Sequence, residues 1–364
     1  MTKSFRIRLT TLTPVHIGSG VSFDPTQFFI DENDFLNCFN TSEFLERIDE
    51  KQRHEFSKIC LDMNYVGMFR FFREKFPKEM TCRRIKVVKD IAATYRNLLA
   101  TGSKGNQIIN QLELKRTCYN EFKKTAYVPG SSLKGSLKTA WMSAKAVKDG
   151  IKGERDIRDL ERKVLEGSFS DDPFRFVKIS DLFPEQQESG AKTRIVYATN
   201  HRKDAIQGRD RSELAVPFEV LMPGNIFTGQ ANLGQPPKIN MRMPKQVDLL
   251  SLAASSNEHY FSKLEKEEEL LKGLGCEPGL TNKIKERAGE NLFKTTFPVR
   301  IGHHSGAEFL TLDGNRQIKI RKGPRNSETK TESTTVWLAS AVKKPVSRKE
   351  LAPFGWVLIE FIEE

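Results

Sequence analysis

The chain has 364 residues, more than one compact core usually serves, so two domains or one elaborate double domain are expected. Its 38% apolar content, with 25 phenylalanines, excludes a disordered tail. Fifty-nine basic against 47 acidic residues leave a charge of +12, which favours a polyanionic partner without choosing between RNA, DNA and an acidic membrane surface.

Phe5-Arg-Ile-Arg-Leu9 alternates as a half-buried strand does, placing Arg6 and Arg8 on the face opposite Phe5, Ile7 and Leu9. A loop follows, Thr13-Pro-Val-His-Ile-Gly-Ser-Gly20, in which His16, Gly18 and Ser19 could present backbone amides and an imidazole to RNA; an ordinary turn with an incidental histidine is the rival reading. Phe23–Ile30 reads as a second strand, and residues 41 to about 114 as helical, interrupted near Gly102–Gly105. The sharpest helix opens at Pro129-Gly-Ser-Ser132, with Leu133, Leu137, Ala140, Trp141, Ala144 and Val147 at helical spacing. Its first amides, after Gly130, make a phosphate site with Ser131 and Ser132, and Lys134 and Lys138 stand one turn apart to face the same backbone. A capped surface helix with solubilising lysines reads equally well.

Arg155–Glu166 is expected to be a helix and Arg175–Leu182 a strand, with Asp181–Pro184 closing the first half. Strands are predicted at Arg194–Thr199, Leu214–Leu221 and Ile226–Gly229, the first two separated by a basic loop carrying Arg202, Lys203, Arg209 and Arg211. A helical region spans about 245–272, within which Glu265–Glu269 reads as a solvated face. Ile301-Gly-His-His-Ser-Gly306 is a second Gly-framed loop, where Arg300, His303 and His304 could meet RNA; neighbouring side chains diverge, so metal binding is not expected. Arg321–Thr335 is predicted to be a mobile loop and Phe354–Phe361 a closing strand.

Five scattered cysteines without a C-x-x-C pair fit a reducing cytoplasm, and neither a signal peptide nor a membrane span is expected. No hydrolase or zinc-protease motif occurs, and no cofactor is implied. A metal-independent ribonuclease could pair His16 with Lys138 or His303, and a protein scaffold is the other alternative.

Taken together, LTPVHIGSG, then YVPGSSLKGSLKTAW, VKISDLF, DRSELAVPFEVLMPGNIFTG, VRIGHHSG and PFGWVLIEF resemble the RAMP superfamily of CRISPR-associated proteins, in order and over nearly the whole chain. Length and the PFGW strand are most similar to the fifth-subunit family of type III-A (Csm) effector complexes. The resemblance implies an α+β chain of two ferredoxin-like (RRM-type) RAMP domains, 1–185 and 186–364, with helical insertions at about 41–114 and 245–290. It also implies a non-catalytic subunit that caps the 3′ part of the CRISPR RNA, supports guide maturation and antiviral defence, and meets target RNA. Its expected protein partners are the Csm backbone and small subunits and recruited cellular ribonucleases. Under this resemblance His16, Gly18 and Ser19 lie in an RNA-facing loop, Ser131, Ser132, Lys134 and Lys138 hold the guide, and Arg209 and Arg211 belong to a finger over the guide–target duplex. The family's second Gly-rich loop often carries an aromatic residue where His303 and His304 stand here.

Overall fold

The computed structural model describes residues 2–77, 79–80, 83–101, 113–154, 156–167, 171–186, 190–204, 214–234, 246–321 and 326–364. The strand Lys3–Thr11 lies inside an antiparallel sheet, between Ile226–Leu233 and Trp356–Glu363. Its alternation settles the register. Phe5, Ile7 and Leu9 point into the core opposite Ala231, Gly229 and Phe227 on one side and Glu363, Phe361 and Ile359 on the other. Thr296–Arg300 extends the sheet beyond Trp356–Glu363, while Val177–Ile179 and Phe183–Pro184 both pair with Ile226–Leu233. The Gly130–Lys148 helix packs into the same core through Leu133, Leu137, Ala140 and Trp141. Beyond Trp141 the buried stripe runs through Met142, Ser143 and Ala146, whereas Val147 is exposed.

Along the chain this six-stranded sheet takes one strand, then after the Gly130–Lys148 helix three strands, and after further helices two closing strands. The second sheet does not repeat it. Its order is Gly18–Ser22, Lys115–Thr117, Ala215–Leu221, Thr193–Arg202, Arg83–Val87, Phe35–Cys38, Phe28–Ile30, and two of its pairings are parallel. Thr335–Ser340 joins it along Thr193–Arg202. Both sheets take strands from either side of residue 185, so that position separates neither sheet from the other. The architecture is mixed α+β.

Several elements depart from their predicted form. Residues 41–101 hold four helices (Thr41–Arg47, Glu50–Leu61, Tyr65–Lys75, Lys89–Thr101) with the strand Arg83–Val87 between the third and fourth. Phe44, Phe56, Phe71 and Phe72 of these helices make a separate aromatic core with Phe29 and Phe39, six of the 25 phenylalanines. In the predicted Arg175–Leu182 strand, Pro173–Phe176 instead forms a 3₁₀ turn, because Pro173 follows a capping Asp172. The predicted loop after Arg321 contains a hairpin strand, Ser327–Lys330, paired with Ile318–Arg321. The solvated acidic face is corrected most firmly: Glu267 and Glu268 are buried, the first against Arg300 and Trp356, the second accepting from the Thr281 amide. Among the described residues, no helix is long and apolar enough to cross a membrane.

Candidate nucleic-acid interface

The Gly130–Lys148 helix begins two residues after Val128, which bridges to Leu182. A Cβ on Gly130 would collide with the carbonyls of Ile179 and Ser180, so the closeness of helix and strand requires glycine. The Gly130 amide donates to Asp181 Oδ1 (2.9 Å), so this first amide is answered from within the protein. Pro129 supplies no side-chain cap. Ser131 is exposed and Ser132 half-buried.

One turn further on, Lys134 and Lys138 line an open pocket with Asp172, Phe174, Arg175, Phe176 and Lys178. The two lysines have different roles. Lys138 Nζ donates to Asp172 Oδ2 (2.9 Å) and lies 3.4 Å from Glu161. Burial works against its charge, but these carboxylates prevail and its pKa rises. Lys134 has no such partner among the described residues. Its pKa is lowered, first by partial burial and then by the ammonium of Lys178. Lys178 sits exposed on the strand Val177–Ile179. Two like charges at one pocket favour an anion between them.

The two Gly-framed loops meet at the junction of the sheets. His303 N donates to the His16 carbonyl (2.7 Å), Ile301 N to Gly355 O and Gly355 N to Pro14 O (2.9 Å each). Gly302 (φ +84°) is indispensable here, since a Cβ would strike the His16 carbonyl. His16 is buried, with Nδ1 2.7 Å from the Glu219 carbonyl and its ring 4.7 Å from that of Phe218. Burial pulls its pKa down to about 4, so the ring is neutral at physiological pH. It therefore supports the loop from below and presents no imidazole to solvent. Gly18 and Ser19 are exposed beside it, Ser19 Oγ donating to Arg116 O (3.3 Å).

On the other loop, His303 is exposed and its ring centroid lies 6.3 Å from that of His16, whereas Lys138 is committed to Asp172. His304 packs inward, 4.5 Å from Trp337 and 4.7 Å from Phe218, and burial takes its pKa to about 3. Arg300 is not an RNA-facing residue. It is 1% exposed, bonded to Glu267 (2.7 Å) and the Phe354 carbonyl (2.9 Å), and stacked 4.1 Å from the Phe309 centroid. Arg209 and Arg211 lie outside the described residues.

Sequence reading missed a second cationic cluster. Arg83 pairs with the fully buried Glu219 and stacks 3.7 Å over Tyr119, while Arg116 faces Phe23 at 5.1 Å. Both arginines line a cleft with Arg84 and Lys124. The alternation of Arg83-Arg-Ile-Lys-Val87 was the available signal, hidden by reading the whole region as helix.

A family model described as the RAMP superfamily matches residues 8–272. The CRISPR system protein Csm5 of Streptococcus thermophilus is 26% identical over 204 residues, which cover 50% of this chain and 52% of that protein, about half its length. The fold aligns with a chain of a type III-A Csm–crRNA–target RNA ternary complex (TM-score 0.52, 16% identity, 99% of this chain and 100% of that one). It also aligns with Csm5 of T. onnurineus (TM-score 0.51, 14% identity, 96% and 99%). The motifs, the sheet built around the first strand and the family match converge: the chain belongs to the RAMP superfamily of CRISPR-associated proteins.

Proposed function

We propose that this chain is a non-catalytic RNA-binding subunit of a type III-A Csm effector complex, occupying the place of Csm5 and capping the 3′ part of the CRISPR RNA. The observation that carries the RNA-binding part is the pocket at the start of the Gly130–Lys148 helix, where Lys134 and Lys178 repel each other and the lining carboxylate, Asp172, is bonded to Lys138. A phosphate there would relieve their repulsion, and the reading is of backbone contact largely without base readout. The likeness to Csm5 and to a chain of a Csm–crRNA–target RNA complex supports guide RNA, target RNA and the other Csm subunits as partners. Capping at the 3′ end, recruitment of ribonucleases, a cytoplasmic setting and a pair of ferredoxin-like units belong to the same proposal.

The test is a titration of labelled CRISPR RNA at several salt concentrations with the double variant Lys134→Ala, Lys178→Ala. Affinity should fall equally for unrelated sequences, and the log–log salt slope should flatten by about 0.7 for each single-strand phosphate no longer neutralised. An unchanged slope removes the pocket from the interface. RNA cleavage that survives chelator and is lost in His303→Ala would replace the non-catalytic reading with a nuclease.

A further inference from the structure

A different cavity lies on the far side of the His303–His304 loop. It is bounded by the Ser262–Gly273 helix, the 301–316 segment and the strand Thr335–Ser340, and its volume is about 770 Å³. We propose that it receives a single nucleobase, stacked on Trp337. The proposal rests on the RNA-binding reading only for where such a base comes from.

Three observations select this ligand class. The first is the aromatic wall. Trp337 carries His304 against it at 4.5 Å and 31°, and Phe218 (4.7 Å) and Phe354 (5.3 Å) hold that imidazole from other sides. A planar heteroaromatic ring is the natural complement to such a wall, and its size suits a cavity of this volume.

The second is charge balance. Lys203 is paired with Glu308 (2.7 Å), Lys263 with Asp313 (3.1 Å) and Arg300 with Glu267 (2.7 Å). Arg316 is also held by Asp313, and the remaining lining cation, Lys266, is exposed, so a bare anion gains less inside this cavity than at the Lys134–Lys178 pocket. A neutral ring with donors and acceptors loses nothing by entering.

The third is unspent hydrogen-bonding capacity. His304 Nε2 and Arg316 Nε, both on cavity-lining residues, are buried without a partner, an arrangement that costs stability unless something answers it. His304 also holds φ +63°, unusual for a residue with a side chain. The helical wall is itself irregular, with a π-turn at Asn257–Phe261 immediately before Lys263. Lys263 donates to the Glu308 carbonyl (2.9 Å), which ties this wall to the short Ala307–Leu310 helix that also lines the cavity.

Tryptophan emission reads the site directly, because the other two tryptophans are buried (Trp141 8% exposed, Trp356 0%). The full chain is titrated with adenosine monophosphate, with a short oligoadenylate, and with an abasic ribose-phosphate oligomer of equal length. We expect saturable loss of emission with the oligoadenylate, none with the abasic oligomer, and none with either in Trp337→Phe. Quenching by the monophosphate as well would mean that free nucleotides also enter; quenching by the oligomer alone would assign the base to RNA. Ala307→Tyr enlarges a lining residue and leaves Trp337 in the chain, and should weaken the response at least roughly tenfold, about 1.4 kcal/mol. Oligoadenylate binding in a filter assay with no change in emission would overturn the nucleobase site and leave RNA binding standing. Quenching by the monophosphate without any RNA binding would do the reverse. Equal quenching by the abasic oligomer, or quenching that persists in Trp337→Phe, would also sink the proposal.

Discussion

Lys134 and Arg300 carry the same charge, each lies beside a Gly-bearing turn, and the two invite the same interpretation in sequence. The fold separates them completely. Lys134 stands at an open pocket beside Lys178 with a lowered pKa, and the Asp172 carboxylate of that pocket is bonded to Lys138 instead. Arg300 is enclosed, paired with Glu267 and flanked by Phe309 and Trp356. The difference lies in the partner supplied from elsewhere. Glu267 arrives from a helix 33 residues earlier in the chain and also accepts from Trp356 Nε1 at 2.8 Å. A cation whose counter-charge the fold supplies serves stability, and one left unanswered is available to a ligand.

The largest expected effect breaks the comparison at its buried end. Arg300→Met leaves the Glu267 carboxylate uncompensated and should cost about 3–5 kcal/mol in urea unfolding. Adding Glu267→Met should recover much of that loss, because the unpaired charge goes too. Lys178→Ala should stay within about 0.5 kcal/mol of the parent. If Arg300→Met were equally mild, the buried ion pair would not be holding the two elements together.

Acid sharpens the same contrast. His16 and His259 are buried, and burial lowers their pKa values to about 4 and about 3. The unfolded chain protonates near 6.5, so below that pH it binds more protons than the native state. Their contribution is therefore complete above 6.5 and is lost as pH falls towards the folded values, at about 1.4 kcal/mol per imidazole per pH unit. Glu219, whose pKa burial raises, acts in the opposite sense. The clean measurement is thus a difference: His259→Gln should flatten the stability slope between pH 6 and 5 by about one proton. A slope unchanged by that substitution would mean that His259 is already charged in the fold.

A third, smaller effect concerns the loop junction. Gly302→Ala must place a Cβ against the His16 carbonyl at a positive φ, costing roughly 1–3 kcal/mol. The loss should appear in thermal unfolding. Gly135→Ala, whose added Cβ meets nothing within 4 Å, should instead be neutral or slightly stabilising as an exposed helical position.

What could be read from the sequence follows the range of the forces involved. The alternation of Phe5, Ile7 and Leu9, the helix after Pro129 and the strands at 193–202, 215–221 and 356–363 were legible, since each is specified by local periodicity. The motif order also identified the superfamily. The burial of Glu267, the inward turn of His304 and the enclosure of Arg300 were not, because each depends on a partner brought from a distant segment. The strand Arg83–Val87 was lost for a different reason: its short alternation sits among helices and was covered by a helical reading, although its sheet neighbours are Phe35–Cys38 and residues 194–195.

Lys138 lies between the two extremes. It faces the pocket that Lys134 and Lys178 line, yet it is bonded to Asp172, which is 4% exposed and also accepts from the Phe174 amide at 2.9 Å. If its ammonium chiefly holds the Pro173–Phe176 turn, Lys138→Met should cost about 1 kcal/mol in unfolding and leave the RNA salt slope unchanged. If it chiefly serves RNA, stability should hold while the slope flattens by about 0.7. Asp172 already answers its charge at 2.9 Å, so the first outcome is expected, and under the proposed RNA-binding role the phosphate would be left to Lys134 and Lys178.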